Sequence, residues 1–155
     1  MKLGISMIIL LLAHGCDKKG AGDFSVETRL VDEAGLMKNV FSPNDSIRFK
    51  VYLTNNSGIE AQYIRPCLQN YLIVYKEDSD GNYIFYGNPQ FLCTDALKFE
   101  YILNEETKCV WELPWISDFG FPEKDRGRYY VGDSFNLTIQ DSTYEFMERF
   151  YFEIK

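Results

Sequence analysis

Ile47-Arg48-Phe49-Lys50-Val51-Tyr52-Leu53 decides the fold class. Apolar residues at 47, 49, 51 and 53 alternate with Arg48, Lys50 and Tyr52, a period of two that gives a strand one face in a core and one in water. Turn clusters bound the run, Ser42-Pro43-Asn44-Asp45 before it and Asn55-Asn56-Ser57-Gly58 after it. The same period recurs on both sides. Phe24, Val26, Thr28 and Leu30 alternate with Ser25, Glu27 and Arg29. Tyr71-Leu72-Ile73-Val74-Tyr75 is a continuous run of β-branched and aromatic residues. It leads through Asp78-Ser79-Asp80-Gly81-Asn82 into Tyr83-Ile84-Phe85-Tyr86, a hairpin with Gly81 where a positive φ is needed.

Further on, Lys108, Val110 and Glu112 alternate with Cys109, Trp111 and Leu113. Tyr129, Val131, Phe135, Leu137 and Ile139 share one parity, with a bulge expected at Gly132-Asp133. Phe146, Phe150, Phe152 and Ile154 share another. No stretch after residue 20 carries an amphipathic helix of more than about two turns. About seven strands with turns every 8–12 residues predict an all-β, immunoglobulin-like β-sandwich of antiparallel strands over residues 24–155.

The 155 residues make one domain, and 46% apolar and 16% aromatic content is enough to build a core. With 16 basic and 23 acidic residues the net charge is −7, which argues against a nucleic-acid partner. The N-terminus reads as an address. Lys2 precedes an uncharged, mostly apolar run from Leu3 to Ala13, 11 residues long. A membrane-spanning helix needs about 20, so the run fits the apolar region of a secretory signal.

The run ends Leu12-Ala13-His14-Gly15-Cys16, followed by Asp17-Lys18-Lys19-Gly20. These residues resemble the lipobox of bacterial lipoproteins, departing from the preferred pattern at Ala13, where Leu is usual. The resemblance implies cleavage before Cys16, lipid on Cys16, residues 1–15 as signal peptide and 16–23 as a lipidated tether. An ordinary cleaved signal or an N-terminal anchor is the other reading. Lipidation implies attachment to the membrane of the bacterial cell envelope through acyl chains, which together hold stably. Asp17 is similar both to an inner-membrane retention signal and to acidic surface-export signals, and leaves the side of the membrane open. The mature chain, 155 less 15 or 140 residues, would lose the one histidine, His14.

Asp125-Arg126-Gly127-Arg128-Tyr129 has the D-x-G-x-Y spacing of the tyrosine corner in immunoglobulin-like domains. Val131 stands where the second Cys of an antibody-type disulfide would be, so that disulfide is not expected. The order of signals also resembles the intracellular proteinase inhibitor (BsuPI) family. The likeness runs through Thr54-Asn55-Asn56-Ser57, the Tyr71 to Tyr86 hairpin, Glu105 to Trp115, and Gly127, Tyr129 and Val131. It covers about residues 40–139, implies a sandwich, and implies proteinase inhibition as a function, which a secretion signal sets against an intracellular inhibitor.

Apart from Cys16 there are Cys67, Cys93 and Cys109. An extracytoplasmic chain can hold disulfides. Extending the hairpin register from Asp78 opposite Asn82 places Cys67 across from Cys93, the disulfide candidate, with Cys109 expected as a small buried hydrophobe.

The catalytic vocabulary is thin. Without histidine, Ser-His-Asp and Cys-His arrangements fall away, and no C-x-x-C, G-x-S-x-G, P-loop or G-x-G-x-x-G occurs. Glu105-Glu106 would be the carboxylate pair of a glycosidase, against the simpler reading of an exposed acidic turn. Asp78 to Asn82 has Gly fourth rather than sixth, unlike an EF-hand loop, and reads as a turn. Asp45-Ser46-Ile47 and Asp141-Ser142-Thr143 resemble a short O-glycosylation acceptor. No cofactor, metal or catalytic residue is expected. Trp115, Phe119 and Phe121 lie in a loop past a strand end, either as partner-binding anchors or as a plug on the sandwich core. The expected function is a non-enzymatic, lipid-anchored binding or accessory module for a protein or glycan. Proteinase inhibition and toxin neutralisation in the envelope are the alternatives.

Overall fold

Ile47, Phe49, Val51 and Leu53 are all buried in the computed structural model, which describes residues 22–65, 72–88, 98–116 and 121–155. Three of the four lie in strand β3 (Arg48–Asn55), whose burial alternates without a break. The described residues hold ten strands and no helix. The others are β1 (Phe24–Val31), β2 (Val40–Phe41), β4 (Ala61–Arg65), β5 (Val74–Glu77), β6 (Tyr83–Gly87), β7 (Lys98–Ile102), β8 (Thr107–Pro114), β9 (Gly127–Ile139) and β10 (Ser142–Ile154). That is more than the seven expected, because β2, β4 and β7 carry too little alternation to stand out. None of the described helical content, which is nil, offers a segment long and apolar enough to cross a membrane.

The chain is an all-β sandwich. One sheet runs β1-β3-β8. The second runs β2-β10-β9-β4-β7. Strand β9, 13 residues long, is shared on its other side by two partners. Near its start Tyr129, Tyr130 and Val131 pair with Lys76, Tyr75 and Val74 of β5, which in turn pairs with β6. Near its end Thr138 and Ile139 pair with Ile64 and Tyr63 of β4. All pairings are antiparallel except β10 with β2, where Glu153 and Ile154 run parallel to Val40 and Phe41.

The inward residues of both sheets meet in two adjoining clusters. One gathers Ile47 and Phe49 of the β3 side with Val74, Leu113, Trp115, Tyr129, Val131, Phe152 and Ile154. The other gathers Val51 and Leu53 with Ala61, Tyr63, Ile102, Val110, Trp111, Leu137, Ile139 and Phe146. Burial of apolar surface between facing sheets is the main stabilising term.

Three local expectations are corrected. Strand β8 does not alternate throughout: Val51 pairs with Trp111 and Tyr52 with Cys109, so Val110 is an extra residue, and the bulge turns both Val110 and Trp111 inward. That leaves Cys109 on the exposed side, with its thiol donating to the Trp111 carbonyl at 3.2 Å, rather than in the core. No bulge occurs at Gly132-Asp133 in the pairing with β10, where Gly132 opposes Arg149 and Asp133 opposes Glu148 in unbroken register. The β5–β6 hairpin keeps the expected register from Glu77–Tyr83 to Tyr75–Phe85, then shifts so that Val74 faces Gly87. Cys67 and Cys93, expected opposite each other further along, lie outside the described residues, as does Cys16.

Candidate functional site

Of the residues offered either as partner-binding anchors or as a plug on the core, Trp115 and Phe121 belong to the core. Trp115 and Phe121 are 3% and 2% exposed. The Trp115 ring stacks on Phe121 at 5.3 Å and on Phe49 at 6.0 Å, and meets Tyr129 and Phe152 edge-on at 5.7 and 5.9 Å. Its indole N–H donates to the Pro122 carbonyl at 2.8 Å, so its one polar atom is satisfied inside the protein. Neither ring is presented to a partner, because both are buried among Phe49, Tyr129 and Phe152. Phe119 lies outside the described residues.

Beside this plug, Tyr129 donates its hydroxyl to the Asp125 carbonyl at 2.5 Å, the geometry of a tyrosine corner. Burial, and then the neighbouring Tyr86, push the Tyr129 hydroxyl far above the usual tyrosine range. Asp125 accepts from the Tyr86 hydroxyl at 2.9 Å and from the Lys76 ammonium at 3.2 Å, which hold its carboxyl below the usual aspartate range. Gly127 has φ +150°, and a Cβ there would stand 3.0 Å from Lys76 Cε. The cluster is a clasp of backbone and side chain.

The acidic candidates also serve turns. Glu106 accepts from the Leu103 amide at 2.7 Å, and Glu105 sits at φ +63° with its amide bonded to the Asn55 carbonyl. Asp78 Oδ1 accepts from the amides of Asp80 and Asn82 at 2.9 and 2.8 Å, closing the β5–β6 turn. Asp45 accepts from the Ser42 amide.

A different surface gathers aromatic side chains. Period two sends Tyr130 outward, between inward Tyr129 and Val131. Tyr130 opposes Tyr151 of β10 on one side and Tyr75 of β5 on the other, and Tyr75 opposes Phe85 of β6. Tyr151, Tyr130, Tyr75 and Phe85 therefore form one row across four neighbouring strands, about 14 Å long at the usual strand spacing. Tyr75 and Tyr130 stack at 4.6 Å and 5°, and Phe85 meets Tyr75 edge-on at 6.5 Å. Tyr83 reaches over from β6 and meets Tyr130 and Tyr151 edge-on at 5.1 and 5.9 Å.

The row needs Gly132. A Cβ there would lie 2.3 Å from Tyr130 Cε2, so only the glycine lets the Tyr130 ring lean along its own strand. Phe85 and Tyr151 remain 61% exposed. Burial raises the hydroxyls of Tyr83 and Tyr130 above the usual tyrosine range. An Arg128–Glu77 contact of 3.7 Å flanks the row.

The opposite outer face differs. On the β1-β3-β8 sheet, Arg29 pairs with Glu27 and lies over the Tyr52 ring, while Glu112 pairs with Arg48 and Lys50. One outer face is charged and the other aromatic. The sequence carried a signal for this that alternation hides. Tyr129-Tyr130 and Phe150-Tyr151-Phe152 are aromatic on both parities, as for strands with two faces to cover.

No protein-family model matches the chain, and no curated protein matches it. A crystal structure of a Bordetella pertussis protein provisionally called ApaA is 16% identical over 84% of this chain and 91% of its own, with a TM-score of 0.37. Likeness at that level carries no argument about fold or function.

Proposed function

We propose that this chain is a non-catalytic binding module, held outside the cytoplasm by lipid on Cys16, and that the aromatic outer face of its long sheet receives a glycan. The observation that supports the ligand face is the row Tyr151, Tyr130, Tyr75 and Phe85, capped by Tyr83. Contiguous aromatics on one face, with Phe85, Tyr83 and Tyr151 exposed and Tyr75 and Tyr130 half-buried between them, and with a charged opposite face, mark an interaction site rather than scattered surface residues. Rings with hydroxyl rims suit a sugar, whose C–H faces pack on aromatic carbon while its hydroxyls exchange hydrogen bonds with tyrosine. The sandwich is read as immunoglobulin-like because β9, flanked by β10 and by β4 and β5, opens on the Tyr129 corner.

Affinity electrophoresis against soluble polysaccharides tests the ligand. Retardation of the unsubstituted protein that disappears in Tyr151→Ala and Phe85→Ala supports the reading. Retardation unchanged in both variants places the ligand elsewhere, and capture of an envelope protein lost in the same variants makes the ligand a protein. Labelling with a palmitate analogue tests the anchor: label is expected on the unsubstituted chain and absent from Cys16→Ser, and an unlabelled parent chain overturns lipidation.

A further inference from the structure

We propose that strand β10 pairs antiparallel with β10 of a second copy of this chain, along an edge that the described residues leave open. Among the described residues only strand β2 pairs with this edge, at Glu153 and Ile154. On that side the Glu153 amide donates to the Asn39 carbonyl and the Lys155 amide to the Phe41 carbonyl, so odd positions aim their backbone groups away from β9. By alternation, Thr143, Glu145, Met147, Arg149 and Tyr151 present N–H and C=O along the same edge. An edge of this length is a template for another strand.

Their side chains choose the partner. Phe146, Phe152 and Ile154 are buried, so the odd positions lie on the outer face, where Met147 at 72% is the most exposed of the large hydrophobic residues described. A two-fold axis at Met147 sets Met147 against its own copy. It also sets Glu145 against the copy's Arg149, twice by symmetry, and Thr143 against the copy's Tyr151. Opposite charges directly across an antiparallel pair are favourable, and like charges are not. An axis at 149 would put Arg149 against Arg149, and an axis at 145 would put Glu145 against Glu145. An axis at 146 makes no charge pair, and an axis at 148 puts Glu148 against Glu148. Charge complementarity selects one register, and a self-complementary patch is what a two-fold dimer requires.

The inner side of the edge agrees. In this register the half-buried Phe150 faces the copy's Tyr144. Phe150 and Tyr151 line a groove of about 300 Å³ with Leu30 and Met37, next to the open edge. Pairing would join the two long sheets and place both aromatic rows on one continuous face.

Cysteine substitution in the full chain, in its own membrane, tests the pairing. Directly opposed hydrogen-bonded residues stand about 5.5 Å apart at Cα, within disulfide reach. Mild oxidation of Met147→Cys is expected to give a covalent dimer on a non-reducing gel, above the level of the parent chain with its native cysteines. Adding Arg149→Glu is expected to abolish that band, and adding Glu145→Arg as well to restore it. Thr143→Cys with Tyr151→Cys repeats the test at the ends of the pairing, should the central variant misfold. No dimer above the parent level from either design overturns the pairing. A dimer indifferent to Arg149→Glu overturns the register and the proposal with it.

Discussion

Tyr129 joins core and corner in one side chain. It is fully buried, stacks on Phe152 at 5.1 Å and closes the corner through its hydroxyl. Tyr129→Phe keeps the ring and removes one hydrogen bond, and should lower stability by about 1 kcal/mol, measured by urea unfolding. The sign of its pH effect follows from linkage. A tyrosine whose hydroxyl is raised on folding favours the folded state fully below the unfolded value near 10, and that contribution is lost as pH climbs beyond it. Alkaline unfolding should therefore be shallower above pH 10 in Tyr129→Phe than in the parent. Asn55 is fully buried and polar, and it is fully used. Its amide donates to the carbonyls of Ile59 and Ile102 at 2.8 and 3.1 Å, and its Oδ1 accepts from the Ser57 amide and hydroxyl at 3.0 and 2.7 Å. Asn55→Leu strands those partners and should cost about 2–3 kcal/mol, read in the same unfolding curves. As a sequence, Asn55 was only one of a turn cluster, since nothing local tells a buried asparagine from an exposed one.

At the scale of the element, β9 organises the long sheet, and Gly132 decides what its outer side can hold. Gly132→Ala drives a methyl into the Tyr130 ring. Overpacking of that kind costs about 1–3 kcal/mol, and the ring must leave its stack on Tyr75. The expected result is a folded protein whose near-UV circular dichroism changes and whose polysaccharide retardation falls as it does in Tyr151→Ala. A folded variant with an unchanged aromatic spectrum would remove Gly132 from this role. The β9–β10 hairpin turns on Gln140 and Asp141, both at positive φ, a turn made without the Asn-Gly pair that usually announces it. Strand β7 was equally hidden, because Phe99 and Tyr101 face outward while Ile102 is buried, which reverses the polarity expected of an amphipathic strand.

Across the whole molecule the two core clusters share β3, β9 and β10, so they should unfold together. Trp115→Ala in one cluster should cost about 3–5 kcal/mol, and Leu137→Ala in the other about 2–5. Both should shift a single transition seen alike by far-UV dichroism and tryptophan fluorescence. Two separate transitions would show that the clusters are independent. Acid acts through carboxylates held low on folding, Asp125 by Tyr86 and Lys76 and Glu112 by Arg48 and Lys50. Their contribution is present above the ordinary carboxylate range and is lost as pH falls through their depressed values. Thermal melting points should accordingly drop below about pH 4, and less so in Asp125→Asn.

The sequence by itself determined the all-β character and the inward residues of β3, β9 and β10. It also determined the Asp78 to Asn82 turn and the candidate spacing of the Tyr129 corner. Each of these is written in a local period or a short turn motif, which survives without knowledge of neighbours. Only the tertiary structure decided that Trp115 and Phe121 are core, that Val110 bulges, and that Tyr75, Phe85, Tyr130 and Tyr151 meet in one row. Those outcomes depend on which strands lie side by side and in which register, and residues 75 and 151 become neighbours only when both are laid against β9.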